Sequence, residues 1–157
     1  MQGLRRKIGL AVLAGFLSVP LSAQTAARLE ALLEKPTITW SDAAVFVLEA
    51  SEVAVYGNPA DAFAFAMEKK WLPKGAGPDD TARFSGIALL LMQSFGLKGG
   101  IFYGVAKSPH HAYRELVYKG IIRGDADPGL AVSGGELLLM INRIFSIKEK
   151  EAEKGAS

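Results

Sequence analysis

The stretch that most constrains the fold is residues 112–145, AYRELVYKGIIRGDADPGLAVSGGELLLMINRIF. It reads as a helix, a glycine stop at Gly120, a turn-rich loop and a second helix. Ser133 and Glu136 form a capping box at the start of that second helix. The apolar pair Ile121-Ile122 is placed to tuck the loop beneath both helices. A unit of this kind buries its apolar face only against neighbours, so the pattern calls for copies of itself. A looser copy lies at residues 62–95, and half a copy at residues 37–53. Setting Ser41, Ser85 and Ser133 as equivalent N-caps spaces the copies by 44 and 48 residues. Trp40, Phe84 and Val132 then fall at the position of a hydrophobic staple. In the first halves, residues 63–70 with Trp71-Leu72 align with residues 113–120 with Ile121-Ile122, and Pro78 aligns with Pro128.

The remaining elements are also helical. Residues 25–34 carry an amphipathic pattern ended before Pro36. Helices are expected over residues 40–53, over 59–70 behind the cap Asn58 and Pro59, over 86–95, over 109–118 behind Ser108, and over 134–148. The segment 86–95 is apolar nearly all round, which implies a central position. Residues 101–105 fit a short helix or an extended loop. The whole reads as an all-α bundle of about two and a half helix–loop–helix units. Residues 149–157 have no apolar face and are expected to fray into a charged, disordered tail.

The amino terminus has the three-part layout of a secretory signal: Arg5-Arg6-Lys7, an apolar run to Val19, then Pro20 and the small residues Ser22-Ala23. Cleavage after Ala23 is expected, giving a signal peptide at 1–23 and a domain at 24–148. The alternative is an uncleaved anchor, but the run is well short of the roughly 20 residues that span a bilayer. The domain is therefore expected in the periplasm or another exported part of the cell envelope. The chain has no cysteine, so an apolar core must hold the domain without disulfides. Removing the leader's three cations turns a formal +2 into −1, which offers nothing to nucleic acid.

A helix, then G-I-I-x-G, a proline-containing loop and an I-T-R-A-E-like helix start resembles the S-layer homology (SLH) motif. Residues 112–144 carry it through Gly120-Ile121-Ile122-Arg123-Gly124, Pro128 and Val132-Ser133-Gly134-Gly135-Glu136. The resemblance implies three units around a pseudo-threefold axis. It also implies adhesion to a peptidoglycan-linked glycan, but because all three copies lack the family's binding arginine the expected partner shifts toward a cell-envelope protein, with the glycan as the other. In the serine register the family's binding arginine falls on Asp42, Gly86 and Gly134. A groove between units is expected to draw on Trp40, Asp42, Trp71, Arg83, Arg123 and Ser133, with Ser41, Ser85, Ser133 and Glu136 as structural caps.

Other chemistry is thin. Asp125 and Asp127, with Glu136 eleven residues after Asp125, are similar to a calcium loop, but Gly129 and Leu130 stand where a further ligand and the glycine belong. His110 and His111 are adjacent and point about 100° apart on a helix. A small periplasmic metal protein or enzyme using these residues is the alternative reading. Asp79 and Asp80 read as a solvated pair. Trp40, Trp71, Phe84 and Tyr103 are candidates for sugar stacking, with core packing the plainer role for the first three. No metal, no cofactor and no catalytic residue is assigned.

Overall fold

A computed structural model describes residues 21–124 and 127–155, with side chains from Thr25 onward. Among them are seven helices: α1 (Leu21–Leu33), α2 (Trp40–Ala50), α3 (Pro59–Glu68), α4 (Phe84–Ser94), α5 (Ile101–Val105), α6 (Pro109–Tyr118) and α7 (Gly134–Gly155). The fold is an all-α bundle. The signal-peptide reading rests on residues 1–20, outside the described residues. Leu21, Ser22 and Ala23 form the first turn of α1.

Local sequence explains most helix starts. Asn58 and Ser108 are extended residues whose side-chain oxygens accept from the amides of Ala60 and His111, and a proline follows each. Proline suits that place because the first-turn amide has no helical partner to lose. Ser133 accepts from the Glu136 amide at 3.2 Å while Glu136 accepts from the Ser133 amide at 2.8 Å, completing the expected capping box.

Two expected caps are displaced. Thr39, not Ser41, caps α2, and its capping-box partner is Asp42. Ser41 is already helical and buried, and its hydroxyl donates to the Pro78 carbonyl at 3.0 Å. Arg83, not Ser85, stands at the cap of α4 and makes no side-chain capping bond. Trp40 and Phe84 are thus first helical residues, and only Val132 keeps the place before a cap.

The centre of the molecule is a closed ring of three backbone hydrogen bonds. The Ile38 amide donates to Val132, the Val132 amide to Ala82, and the Ala82 amide to Ile38, at 2.9, 3.0 and 2.9 Å. All three residues are buried, so each amide needs a protein partner and finds it in the next loop. Outside the ring, the Trp40 amide donates to Asp80 and the Phe84 amide to Leu130, while the Ser41 and Ser85 amides donate to Pro78 and Pro128. Ile38, Ala82 and Val132 thus hold corresponding places, 44 and 50 residues apart. The serine register is two residues out in the last unit: Thr39, Arg83 and Ser133 correspond, and Trp40, Phe84 and Gly134 follow them.

Packing runs in the same order. α2 lies against α3, α4 against α6, and α7 against α1. The sequence pattern shows no first helix for the first unit, yet α1 meets α7 as α3 meets α2. α4 is buried from Phe84 through Ser94 apart from Ser85 and Gln93, as its all-round apolarity requires. Leu48, Leu116 and Ile144 join it in one core, each buried large side chain stabilising by about 1.5–3 kcal/mol. Leu72, Ile121 and Ile122 are buried under the helices, whereas Trp71 stays half-buried, edge-on to Phe65.

The charged tail is helical and exposed over most of its length. α7 continues to Gly155. Lys148 with Glu151, Lys150 with Glu153 and Glu151 with Lys154 place opposite charges three residues apart on one face, which supports an exposed helix without an apolar stripe.

Candidate functional site

A cavity of about 510 Å³ opens beside the ring, between the start of α2, the start of α4 and the loop joining α3 to α4. Trp40, Pro73, Gly86 and Pro109 supply its apolar lining, and Lys74, Asp80, Thr81, Arg83 and Ser85 its polar groups. Gly86 makes the arrangement possible. A Cβ there would fall 2.3 Å from Trp40 Cη2 and 2.7 Å from Pro73 Cγ, so only glycine lets the indole lie across the α4 backbone. The indole is only 4 % exposed. So little exposed area leaves no open platform for a sugar to stack on.

The polar rim is held by backbone bonds. Asp80 accepts from the Gly77 amide at 2.7 Å, which commits that carboxylate to its own turn. Arg83 is exposed and donates one guanidinium N–H to the Gly129 carbonyl of the neighbouring loop. A guanidinium has five donors, so the fork is oriented and still has N–H groups to offer. Lys74 is exposed above the same cavity.

Of the six expected groove residues, the structure brings together Trp40 and Arg83. Asp42 lies in a separate hollow of about 180 Å³, where both its oxygens sit 2.8 Å from Lys35 Nζ. Burial of that carboxyl opposes ionisation, but the hydrogen bonds from Lys35 and Thr39 outweigh it and hold its pKa below the usual 3.8. Trp71 packs on Phe65, Arg123 closes the end of α6 by donating to the Gly120 carbonyl at 3.1 Å, and Ser133 is spent on its cap. Sequence reasoning missed Lys74 and Thr81, because nothing local ties a loop lysine to a tryptophan more than thirty residues earlier.

The alternative chemical residues are largely occupied. His111 Nδ1 lies 2.9 Å from the Ser108 hydroxyl and 3.1 Å from the Ala106 carbonyl, and its ring meets that of His110 edge-on. Asp127 accepts from the Gly129 amide at 2.7 Å. Asp125 lies outside the described residues. Among the described residues no group of three or more His, Cys, Asp or Glu side chains is placed to hold a metal ion. Tyr103 is buried and receives a hydrogen bond from Gln93. Burial pushes its phenol above the usual 10.0, the Glu115 charge adds to this, and the Gln93 bond opposes it.

No family model matches the chain, and neither a curated protein nor a solved structure matches it. Among the described residues no helix is long and apolar enough to cross a membrane.

Proposed function

We propose that this chain is an exported, non-catalytic binding module of the cell envelope with an S-layer-homology-like architecture. Its cavity beside Trp40 takes a sugar unit of an anionic, peptidoglycan-linked glycan. The supporting observation is the closed backbone ring at Ile38, Ala82 and Val132, with the cyclic packing of α2 on α3, α4 on α6 and α7 on α1. A closed, cyclic arrangement of this kind is what three units around a pseudo-threefold axis would produce, and it supports the reading without depending on any one side chain.

The ring register also moves the family's arginine position. It falls on Trp40, Phe84 and Gly134 rather than on Asp42, Gly86 and Gly134. No arginine stands there in any unit. Arg83, one residue earlier, lines the cavity with Lys74 instead. A guanidinium fork beside an ammonium suits a carboxylate or phosphate on a sugar, and this favours a glycan over a protein partner.

The test is co-sedimentation of the protein with purified sacculi, with and without their linked glycan. Wild type should pellet with the intact sacculi. The exposed double variant Lys74→Glu/Arg83→Glu should lose about tenfold or more in affinity while keeping its circular dichroism. Failure of wild type to pellet, or equal pelleting of the variant, overturns the glycan reading.

A further inference from the structure

We infer that α5 and the adjoining face of α6 form a docking surface for an anionic lipid membrane. In α5, Ile101, Phe102 and Val105 are 83 %, 78 % and 84 % exposed, and Tyr118 of α6 is 89 % exposed. Large apolar side chains at such exposure, gathered on a five-residue helix, mark an interaction site rather than scattered surface. Phe102 and Tyr118 share one surface: Phe102 stacks on the His111 ring at 6.4 Å and lines a hollow with Arg114, Glu115 and Tyr118.

The turn is held rigidly in its protruding position. Tyr103, its one buried residue, takes a hydrogen bond from Gln93 of α4. Glu115 of α6 accepts from the Gly100 amide at 2.8 Å. A Cβ on Gly99 would fall 2.5 Å from the Tyr103 ring, so the chain approaches that ring through a glycine. An apolar wedge fixed ahead of binding loses little entropy when it inserts.

Charge selects the occupant. Between Leu97 and Gly124 the chain carries five cations (Lys98, Lys107, Arg114, Lys119 and Arg123) against the single acid Glu115, a net of +4. The rest of the domain beyond the leader is correspondingly acidic. Lys107 also shares a neighbouring groove with Lys70 and Lys74, and no acid lines that groove. Exposed apolar residues flanked by lysine and arginine match the interface of a bilayer with anionic headgroups, the chains entering the acyl boundary and the cations meeting phosphates. The sequence admits a membrane only through an uncleaved leader; α5 supplies a second and independent contact.

Because the chain has no cysteine, a Phe102→Cys variant takes a single environment-sensitive fluorophore. The full chain carrying this label is mixed with vesicles of phosphatidylcholine alone or with phosphatidylserine added. With anionic vesicles the label should shift to the blue and brighten by roughly threefold or more, and the response should fade as salt rises. A label in place of Leu139, on α7, should stay unchanged. The label reports its own surroundings, so capture through the leader alone leaves it water-like. No change at position 102 with anionic vesicles, or an equal change with neutral ones, overturns the inference. So does an unchanged response after Lys98→Glu, Lys107→Glu and Arg114→Glu are combined. No glycan is present, so the outcome is independent of the sacculus test.

Discussion

The backbone of Gly134 presses against the carbonyl of Leu32: a Cβ built on Gly134 would lie 1.7 Å from that oxygen. The last turn of α1 therefore occupies the space that a side chain at the start of α7 would need. The Gly134 amide meanwhile donates to Lys35 at 3.0 Å, tying the end of α1 to α7. This contact explains why no side chain fits at the first position of α7.

Gly134→Ala should consequently detach or displace α1. The neighbouring atom is backbone and cannot swing aside, so the expected loss is about 3 kcal/mol, read from urea unfolding. Rapid proteolysis within residues 21–39 should accompany it. Gly135→Ala is the control. Nothing lies within 4 Å of a Cβ there, so it should be neutral or stabilise by up to about 1 kcal/mol through helix propensity.

Glu52 and Lys70 adopt left-handed φ values of 58° and 60°, as Gly96 and Gly120 do at 61° and 69°. The bonds that follow correspond. Val53 returns to Leu48 as Leu97 does to Met92, and Trp71 to Ala66 as Ile121 does to Leu116. Glu52 and Lys70 therefore hold a conformation that their partner units give to glycine. Lys70→Gly should stabilise the protein by about 0.5–1 kcal/mol. Gly120→Ala should destabilise it by about 1 kcal/mol. Paired thermal melts check both; a Lys70→Gly variant that melts lower would contradict this account of the turn.

How far the sequence disclosed the fold can be argued from these same residues. Asn58-Pro59, Ser108-Pro109 and Ser133 with Glu136 name their helices because a cap is a local event. The central position of α4 follows from its composition alone. Thr39 was hidden because its neighbour Ser41 is an equally good cap by type, and Ser41 instead spends its hydroxyl on Pro78, far away in the chain. The ring register was hidden for a deeper reason. Backbone amides bonded between loops leave no side-chain signature, so a serine two residues away set a false spacing. The cavity is half legible in the sequence: Trp40 and Arg83 stand out by their chemistry, but Gly86 and Lys74 matter through contacts that only the folded chain creates. The helix at α5 likewise depends on Gln93 and Glu115 holding it from outside.

The last turns of α7 carry little of the stability. Lys148 ties α7 to the body, donating to the Phe95 carbonyl at 3.2 Å and lying over the Phe95 ring, and residues 149–155 beyond it are exposed. Truncation after Lys148 should leave the unfolding free energy within about 0.5 kcal/mol of the full chain. Lys148→Ala should cost about 1 kcal/mol through the lost hydrogen bond and cation–π contact. Chemical denaturation of both variants distinguishes the two segments; a truncation costing more than the point substitution would show that residues 149–157 pack on the domain.

Asp42 should dominate the acid limb of stability. Its folded pKa lies below the usual 3.8, because hydrogen bonds from Lys35 and Thr39 exceed the opposing effect of burial. A carboxylate lowered in the folded state contributes its full stabilisation above the unfolded pKa, and loses it as pH falls through the folded value. Asp42→Asn should therefore cost about 1 kcal/mol at neutral pH, the worth of the capping-box partner at the head of α2. The gap from wild type should narrow steadily below pH 3.8. Lys35→Ala should cost less, about 0.5 kcal/mol, since the Lys35 side chain is 45 % exposed and its ion pair is open to solvent. Added salt should shrink the Lys35 effect and spare most of the Asp42 effect, because the Thr39–Asp42 bonds of 3.1 and 3.2 Å close within one helical turn. Urea unfolding of the three proteins across pH 2–7 measures all of these differences. A pH-independent gap between wild type and Asp42→Asn would show that the carboxyl acts through shape rather than charge.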